Sequence, residues 1–304
     1  MRSAFANTLQ QLGSDSRIML LIADTGQYVF RHFAALYPEQ FLNIGIAEAN
    51  LIGVAAGLAH SGNIPFTYSI ASFYSRCFDQ IRVDLCYNNM NVKMVGVGSG
   101  VAYGTMGPTH HTIEDIAAFR ALPNLTIFSP CDPIEAAQLT EVAASLNGPV
   151  YLRLALAGES LIYSSQSPIV WDKVNTLRHG EHATIFATGR IITQALKAEE
   201  LLRQEGISCT VVSVHTLKPV DTEGIRQSVK NTDIVVTVEE HNVLGGLGTI
   251  VAEALIGEPI KMVRLGLQDT FCPVYGDMEY VYAALGISAH HIAQTVRKLV
   301  QEAS

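Results

Sequence analysis

The residues able to do chemistry fall in three places. The first is Asn43-Ile44-Gly45-Ile46-Ala47-Glu48-Ala49-Asn50, where a glutamate opens a helix rich in small residues, Val54-Ala55-Ala56-Gly57. A first-turn glutamate is favoured by the helix dipole, and that alone accounts for an exposed one. Here Gly45, Ile46, Ala47 and Ala49 give Glu48 almost no polar company. A carboxylate so placed is desolvated, which raises its pKa toward proton-transfer duty and suits it to bond a ligand nitrogen. Both readings stand on these residues alone. The second place is Phe66 to Leu85, where Phe66, Tyr68, Phe73, Tyr74 and Phe78 cluster round a turn into a helix. Such rings make ordinary core, or a stacking platform for a planar heterocycle. Arg76, Asp79 and Arg82 follow at helical spacing, and the last two suit a surface pair.

The third place runs from Gly96-Val97-Gly98-Ser99-Gly100 to Gly107-Pro108-Thr109-His110-His111. Its glycines follow a strand, as in a loop that a ligand approaches. Imidazole titrates near neutrality, so a loop histidine is a candidate acid or base. The bland alternative is a loop before a helix, with Glu114 and Asp115 in its first turn. A metal site is the weaker reading, because adjacent histidines diverge on a helix and no H-E-x-x-H spacing occurs. Val101 breaks a dinucleotide fingerprint, and neither G-x-x-x-x-G-K nor G-x-S-x-G is present. Further on, Gly245-Gly246-Leu247-Gly248 reads equally as a tight strand-to-helix turn or a ligand loop.

Alternating elements must position these residues. Ile18–Ala23, Ile64–Thr67, Val92–Val97, Leu125–Phe128 and Val150–Leu154 read as buried strands. Ala47–His60, Phe73–Asn88, Thr112–Arg120 and Pro133–Leu146 read as helices, the last capped by Asp132 with proline in its first turn. The pattern lapses over a Ser-rich stretch carrying Trp171 and then restarts. Strands Ala183–Ala187, Ser208–Ser213, Ile234–Val238 and Lys261–Leu265 alternate with helices Ile191–Glu205, Thr222–Lys230, Thr249–Ile256 and His291–Glu302. This is α/β alternation with mostly parallel sheets. We expect domains over 1–156 and 181–304, joined by a linker over 157–180.

Composition sets the outer limits. The chain has 304 residues, 48% hydrophobic and 16% charged, which excludes general disorder and suits two domains. Lys plus Arg total 20 against 28 Asp plus Glu, a net charge of -8 with no basic block, so nucleic acid is a poor partner. No run of 18 apolar residues suggests a membrane span, and Met1 to Ser16 lacks a signal-peptide core. The five cysteines, Cys77, Cys86, Cys131, Cys209 and Cys272, are odd in number and without C-x-x-C. They read as reduced thiols of a cytoplasmic protein.

Taken together, these motifs resemble the transketolase family over nearly the whole chain. Gly45-Ile46-Ala47-Glu48 looks like the family's glutamate motif, and Phe73-Tyr74-Ser75-Arg76-Cys77-Phe78-Asp79-Gln80-Ile81-Arg82 its pyrimidine-pocket helix. Gly107-Pro108-Thr109-His110-His111 with Phe119-Arg120-Ala121-Leu122-Pro123-Asn124 is similar to its substrate loop. His215-Thr216-Leu217-Lys218-Pro219 and Gly245-Gly246-Leu247-Gly248 look like the C-terminal domain shared by transketolase, deoxyxylulose-phosphate synthase and the beta subunits of 2-oxo-acid dehydrogenases.

The resemblance implies two three-layer α/β/α domains, a pyrimidine-binding domain and then a transketolase C-terminal domain. It also implies thiamine diphosphate as cofactor and transfer of a two-carbon ketol unit from a ketose donor to an aldehyde. Glu48 would bond the ring nitrogen of the cofactor's aminopyrimidine. Phe73 would stack, with Ile70 where many members have a second ring. Arg76 would line the same pocket and Asp24 face the cofactor. His110 matches a substrate-loop histidine; Arg153 and Arg2 match positions that grip a sugar phosphate, where a guanidinium fork suits the oxygens.

Two departures bear on substrate: Gly98 and Met106 stand where typical members have a histidine and an aspartate. A larger one is that no Gly-Asp-Gly motif ending in a metal-ligating asparagine occurs. The diphosphate and its Mg²⁺ are therefore expected on a partner subunit, in an α2β2 heterotetramer, with no metal ligands on this chain. The alternatives are a 2-oxo-acid dehydrogenase beta subunit and, in another class, a non-catalytic scaffold. Keeping Glu48, Phe73 and His110 together argues against the scaffold.

Overall fold

The computed structural model describes residues 1–156, 158–164 and 166–303. The first elements are α1 (Arg2–Leu12), β1 (Ile18–Ile22), α2 (Gln27–Leu36), β2 (Phe41–Asn43), α3 (Glu48–His60) and β3 (Ile64–Ile70). A 3₁₀ stretch Ala71–Cys77, the single turn α4 (Phe78–Gln80) and a π-helical stretch Ile81–Tyr87 follow. Next come β4 (Lys93–Val97), α5 (Asp115–Arg120), β5 (Thr126–Phe128), α6 (Pro133–Ser145) and β6 (Val150–Leu154). Then come β7 (Asn175–Arg178), β8 (Ala183–Ala187), α7 (Ile192–Gln204), β9 (Cys209–Ser213), β10 (Thr216–Lys218) and α8 (Thr222–Ser228). The last are β11 (Ile234–Asn242), α9 (Leu247–Ala254), β12 (Lys261–Leu267), α10 (Met278–Ala284) and α11 (Ala289–Ala303).

These elements form two compact units. The first comprises residues 1–99 and 118–169, the second 100–117 and 170–303. Segment 100–117, with the Gly-Pro-Thr-His loop, thus packs with the second unit although it lies within the first half of the chain.

In the first unit the strands run β5-β6-β4-β3-β1-β2, each pairing parallel to its neighbours. Strands covered on both faces read as unbroken apolar runs, and β1, Ile-Met-Leu-Leu-Ile, is buried throughout. Phe5, Phe30, Phe66 and Tyr68 pack as one ring cluster beside it. Each buried ring of this kind contributes roughly 1.5–3 kcal/mol of transfer free energy. In the second unit the order is β12-β11-β8-β9-β7, parallel except for the antiparallel β7–β9 pair.

The α/β reading of the sequence holds for both units. The stretch expected as linker over 157–180 carries the edge strand β7; residues 157 and 165 of it lie outside the described residues. Two expected helices differ. Thr112–Arg120 begins only at Asp115, because Thr112 is held in an antiparallel bridge with Gly100. Phe73–Asn88 is a succession of helix types. Ser75 Oγ donates to the Ser72 carbonyl at 2.7 Å and Cys77 Sγ to the Tyr74 carbonyl at 3.2 Å, which favours the tighter opening turns. Tyr74 Oη is meanwhile fixed 2.9 Å from Thr67 Oγ1 of β3.

Candidate active site

Three loops at strand ends build the Glu48 side of the first unit. After β1 the backbone turns left-handed at Asp24, with φ of 54°, an unusual conformation for a residue with a side chain. Hydrogen bonds hold it there. Asn43 Nδ2 donates to Asp24 Oδ1 at 3.0 Å, Gln27 Nε2 donates to the same oxygen at 2.5 Å, and the Asp24 N–H donates to Asn43 Oδ1 at 3.1 Å. The Gly45 N–H reaches the same Asn43 oxygen at 3.0 Å. Asn43 therefore ties the end of β1 to the turn that leads into Glu48. Sequence reasoning missed it; a lone asparagine at a strand end reads as turn chemistry.

Glu48 is the first residue of α3 and is 3% exposed. Of the two sequence readings, burial is the one realised. Its Oε2 lies 3.8 Å from Arg76 Nη1, and Arg76 is itself exposed. The Arg76 guanidinium carbon lies 5.3 Å from the centre of the Phe73 ring, a cation–π approach. Ile70, at the end of β3, leads directly into this turn and is half-buried. Burial, reinforced by the Glu48 charge, pushes the Cys77 thiol up to about 12, so Cys77 is no nucleophile here. Glu48, Phe73, Arg76 and Ile70 are thus brought together, with Asp24 linked to them through Asn43.

The loop 100–112 sits in the second unit and separates its two histidines. His111 is buried, its Nε2 3.2 Å from the Tyr103 carbonyl, and burial lowers its pKa. His110 is half-exposed; its Nδ1 shares a 2.9 Å hydrogen bond with Thr109 Oγ1, and its ring meets the edge of Tyr103 at 5.6 Å. Its Nδ1 is thus engaged by its own chain. Met106 stands exposed on the same loop.

The two arginines expected at a substrate phosphate differ in exposure. Arg153 lies on β6, between β4 and β5, and is 2% exposed. Its side chain is among the largest fully buried side chains of the chain. Arg2 is half-buried on α1, with its Nε enclosed and unpartnered. The Gly245–Gly248 segment resolves to structure. Glu239 accepts from the Leu247 N–H at 2.6 Å and the Gly248 N–H at 2.8 Å, so the α9 amides that would otherwise be open to an anion are already taken. An added Cβ at Gly246 would lie 2.0 Å from Glu239 Oε2, which is why a glycine stands there.

Comparison with known proteins covers both units. The transketolase pyrimidine binding domain matches residues 1–155, and the transketolase C-terminal domain residues 172–292. The chain is 37% identical to one of the subunits of the apulose-4-phosphate transketolase of Phocaeicola vulgatus, over 99% of this chain and 97% of that protein. It is also 37% identical to the 6-deoxy-6-sulfo-D-fructose transketolase subunit SqwH of a Clostridium species, over 96% and 92%. A solved structure described as a split gene transketolase, inactive beta4 tetramer, superposes with a TM-score of 0.89 at 37% identity, covering 99% of this chain and 98% of that one. The chain belongs to the transketolase family. Within it, this is a transferase subunit of the split kind, built of the pyrimidine-binding and C-terminal domains.

Proposed function

We propose that this subunit completes its active site with a second polypeptide that carries the diphosphate-binding domain and the Mg²⁺ ligands, in an α2β2 assembly. The complex moves a two-carbon ketol unit from a ketose phosphate to an aldehyde. The observation that carries the proposal is the buried carboxylate of Glu48 beside Phe73 and Arg76. A desolvated carboxylate fits one group well, a ring N–H of an aminopyrimidine, and a ring with a guanidinium beside it fits a flat heterocycle. When bound, thiamine diphosphate supplies the reactive carbon and the electron sink.

The residues of this chain do the rest. Glu48 accepts a hydrogen bond from the pyrimidine ring nitrogen and so sets its proton distribution. Phe73 and Ile70 hold the ring plane, and Arg76 balances the Glu48 charge. Asp24, locked by Asn43 and Gln27, fixes the edge of the pocket. His110 presents Nε2 to the oxygen of the reacting carbonyl and exchanges a proton with it. Arg2 is the guanidinium we assign to a substrate phosphate. The relatives named as transketolase subunits support this reading over a 2-oxo-acid dehydrogenase. Five buried, unbridged cysteines support a cytoplasmic setting, and among the described residues no helix is long and apolar enough to cross a membrane.

The test is reconstitution with the partner chain. Glu48→Gln should lower the ketol-transfer rate by roughly two to four orders of magnitude, as loss of acid–base function does. A near-normal rate sinks the assignment. The isolated chain should bind thiamine diphosphate weakly at most, and tight Mg²⁺-dependent binding by calorimetry would sink the two-chain site.

A further inference from the structure

The second unit holds a buried carboxylate that this chemistry leaves unused. Glu240, on β11, is buried and accepts a 2.8 Å hydrogen bond from the phenol of Tyr282 on α10. Arg190 Nε lies 3.9 Å from its other oxygen, and the Arg190 guanidinium stands 5.8 Å from the Tyr282 ring centre. Burial, with the Glu240 charge added, pushes the Tyr282 phenol well above its usual value, so it stays a donor.

The neck of the His110 loop rests on this carboxylate. Gly100 has φ of 64°, and an added Cβ would lie 2.5 Å from Glu240 Cβ. The Gly100 N–H donates to the Thr112 carbonyl at 3.0 Å and the Thr112 N–H donates back at 2.8 Å, closing the loop. Just past the neck, the Asn242 N–H at the end of β11 donates to the Ile113 carbonyl at 2.8 Å. The outer arm is held separately. The Gly276 N–H donates to the Gly104 carbonyl at 3.1 Å, and the Tyr275 ring lies against Gly107. Residues 275–276 lead straight into α10, which carries Tyr282.

The loop therefore has two supports, β11 under its neck and the approach to α10 under its arm, and the Glu240–Tyr282 hydrogen bond joins them. We propose that this pair is a positioning contact for the His110 loop, fixing where His110 is presented. The proposal rests on the reading of His110 as a substrate-facing group, but the contact can be tested without it.

Hydrogen exchange on the whole chain reads it directly. Tyr282→Phe should speed exchange of the loop amides of residues 103–112 about tenfold or more, while β8 and β11 keep their protection. Glu240→Ala should do the same, and Glu240→Gln, which keeps an acceptor, should restore the slow rates. In the reconstituted complex, Tyr282→Phe should lower kcat at least about tenfold through misplacement of His110, with thiamine diphosphate affinity unchanged. Unchanged loop exchange, or equal loosening of β8 and β11, overturns the positioning role. Local loosening with kcat intact leaves the contact standing and removes His110 from the chemistry.

Discussion

Glu135 offers the sharpest test of the energetics of the first unit. It lies in the first turn of α6 with its carboxyl fully buried. Its Oε2 accepts from the Cys131 N–H at 2.7 Å. Next to it, Asp132 caps the helix through the Glu135 N–H at 2.8 Å and accepts the N–H groups of Ile162 and Tyr163 at 2.8 and 2.9 Å. Burial outweighs the hydrogen bonds to Glu135 and pushes its carboxyl up to about 7. The native chain then binds more protons than the unfolded chain between the ordinary value of 4.5 and about 7. Stability accordingly falls as pH rises through that window and is flat above it. At about 1.4 kcal/mol per pKa unit, the full cost above pH 7 is roughly 3 kcal/mol. Glu135→Gln removes the charge yet keeps an oxygen for the Cys131 N–H. The variant should gain up to about 3 kcal/mol over the parent at pH 8, and nothing at pH 4. Urea denaturation of both chains across this range measures the difference. His215, pushed down to about 4 by burial, works the other way and costs stability as pH falls below 6.5. It is common to both chains and cancels when variant and parent are compared at each pH. A difference independent of pH would refute the buried-carboxylate reasoning.

Two further substitutions separate structure from chemistry. Arg153→Ala should lower stability by about 2 kcal/mol or more, because polar groups around a buried guanidinium lose their partner; thermal melting checks this. Its KM values for phosphorylated and unphosphorylated substrates should move together, and a selective rise for the phosphorylated one would place Arg153 at the substrate phosphate. Gly246→Ala should cost about 1–3 kcal/mol in chemical denaturation, since its Cβ would displace Glu239 from the α9 amides. A variant as stable as the parent would mean that Glu239 is not the cap.

The alternation of strands and helices was legible because buried parallel strands are written as short apolar runs. The shorter, more exposed elements were not: α1 mixes Ser, Asn and Gln into its sequence, and β2 has only three residues, none of them buried. The Asp132 cap was legible because the amide it caps, that of Glu135, is three residues away. The burial of Arg153 was not legible because it depends on sheet order. Tyr-Leu-Arg-Leu gives no sign that β4 and β5, distant in sequence, flank it. The placement of 100–117 with the second unit is non-local in the same way. Nothing in Gly100 names Glu240, 140 positions on, as the group beneath it.

Of the faces of α3, a helix rich in small residues, the structure buries one. Leu51, Ile52 and Ala55 are buried with Glu48, while Ala49, Asn50, Gly53 and Gly57 face outward, and Gly53 and Gly57 have open space where a side chain would stand. Ile46, two residues before Glu48, is 79% exposed. Apart from Asn50 and His60, the outward face of α3 is apolar, as in a helix that belongs inside a protein. Single exposed apolar residues are ordinary, but here they adjoin the buried carboxylate on which the chemistry depends. A site whose acidic group is finished and whose outer wall is bare is half a site. The two-chain site proposed above calls for this arrangement, with the small residues of α3 on the side left open to the partner.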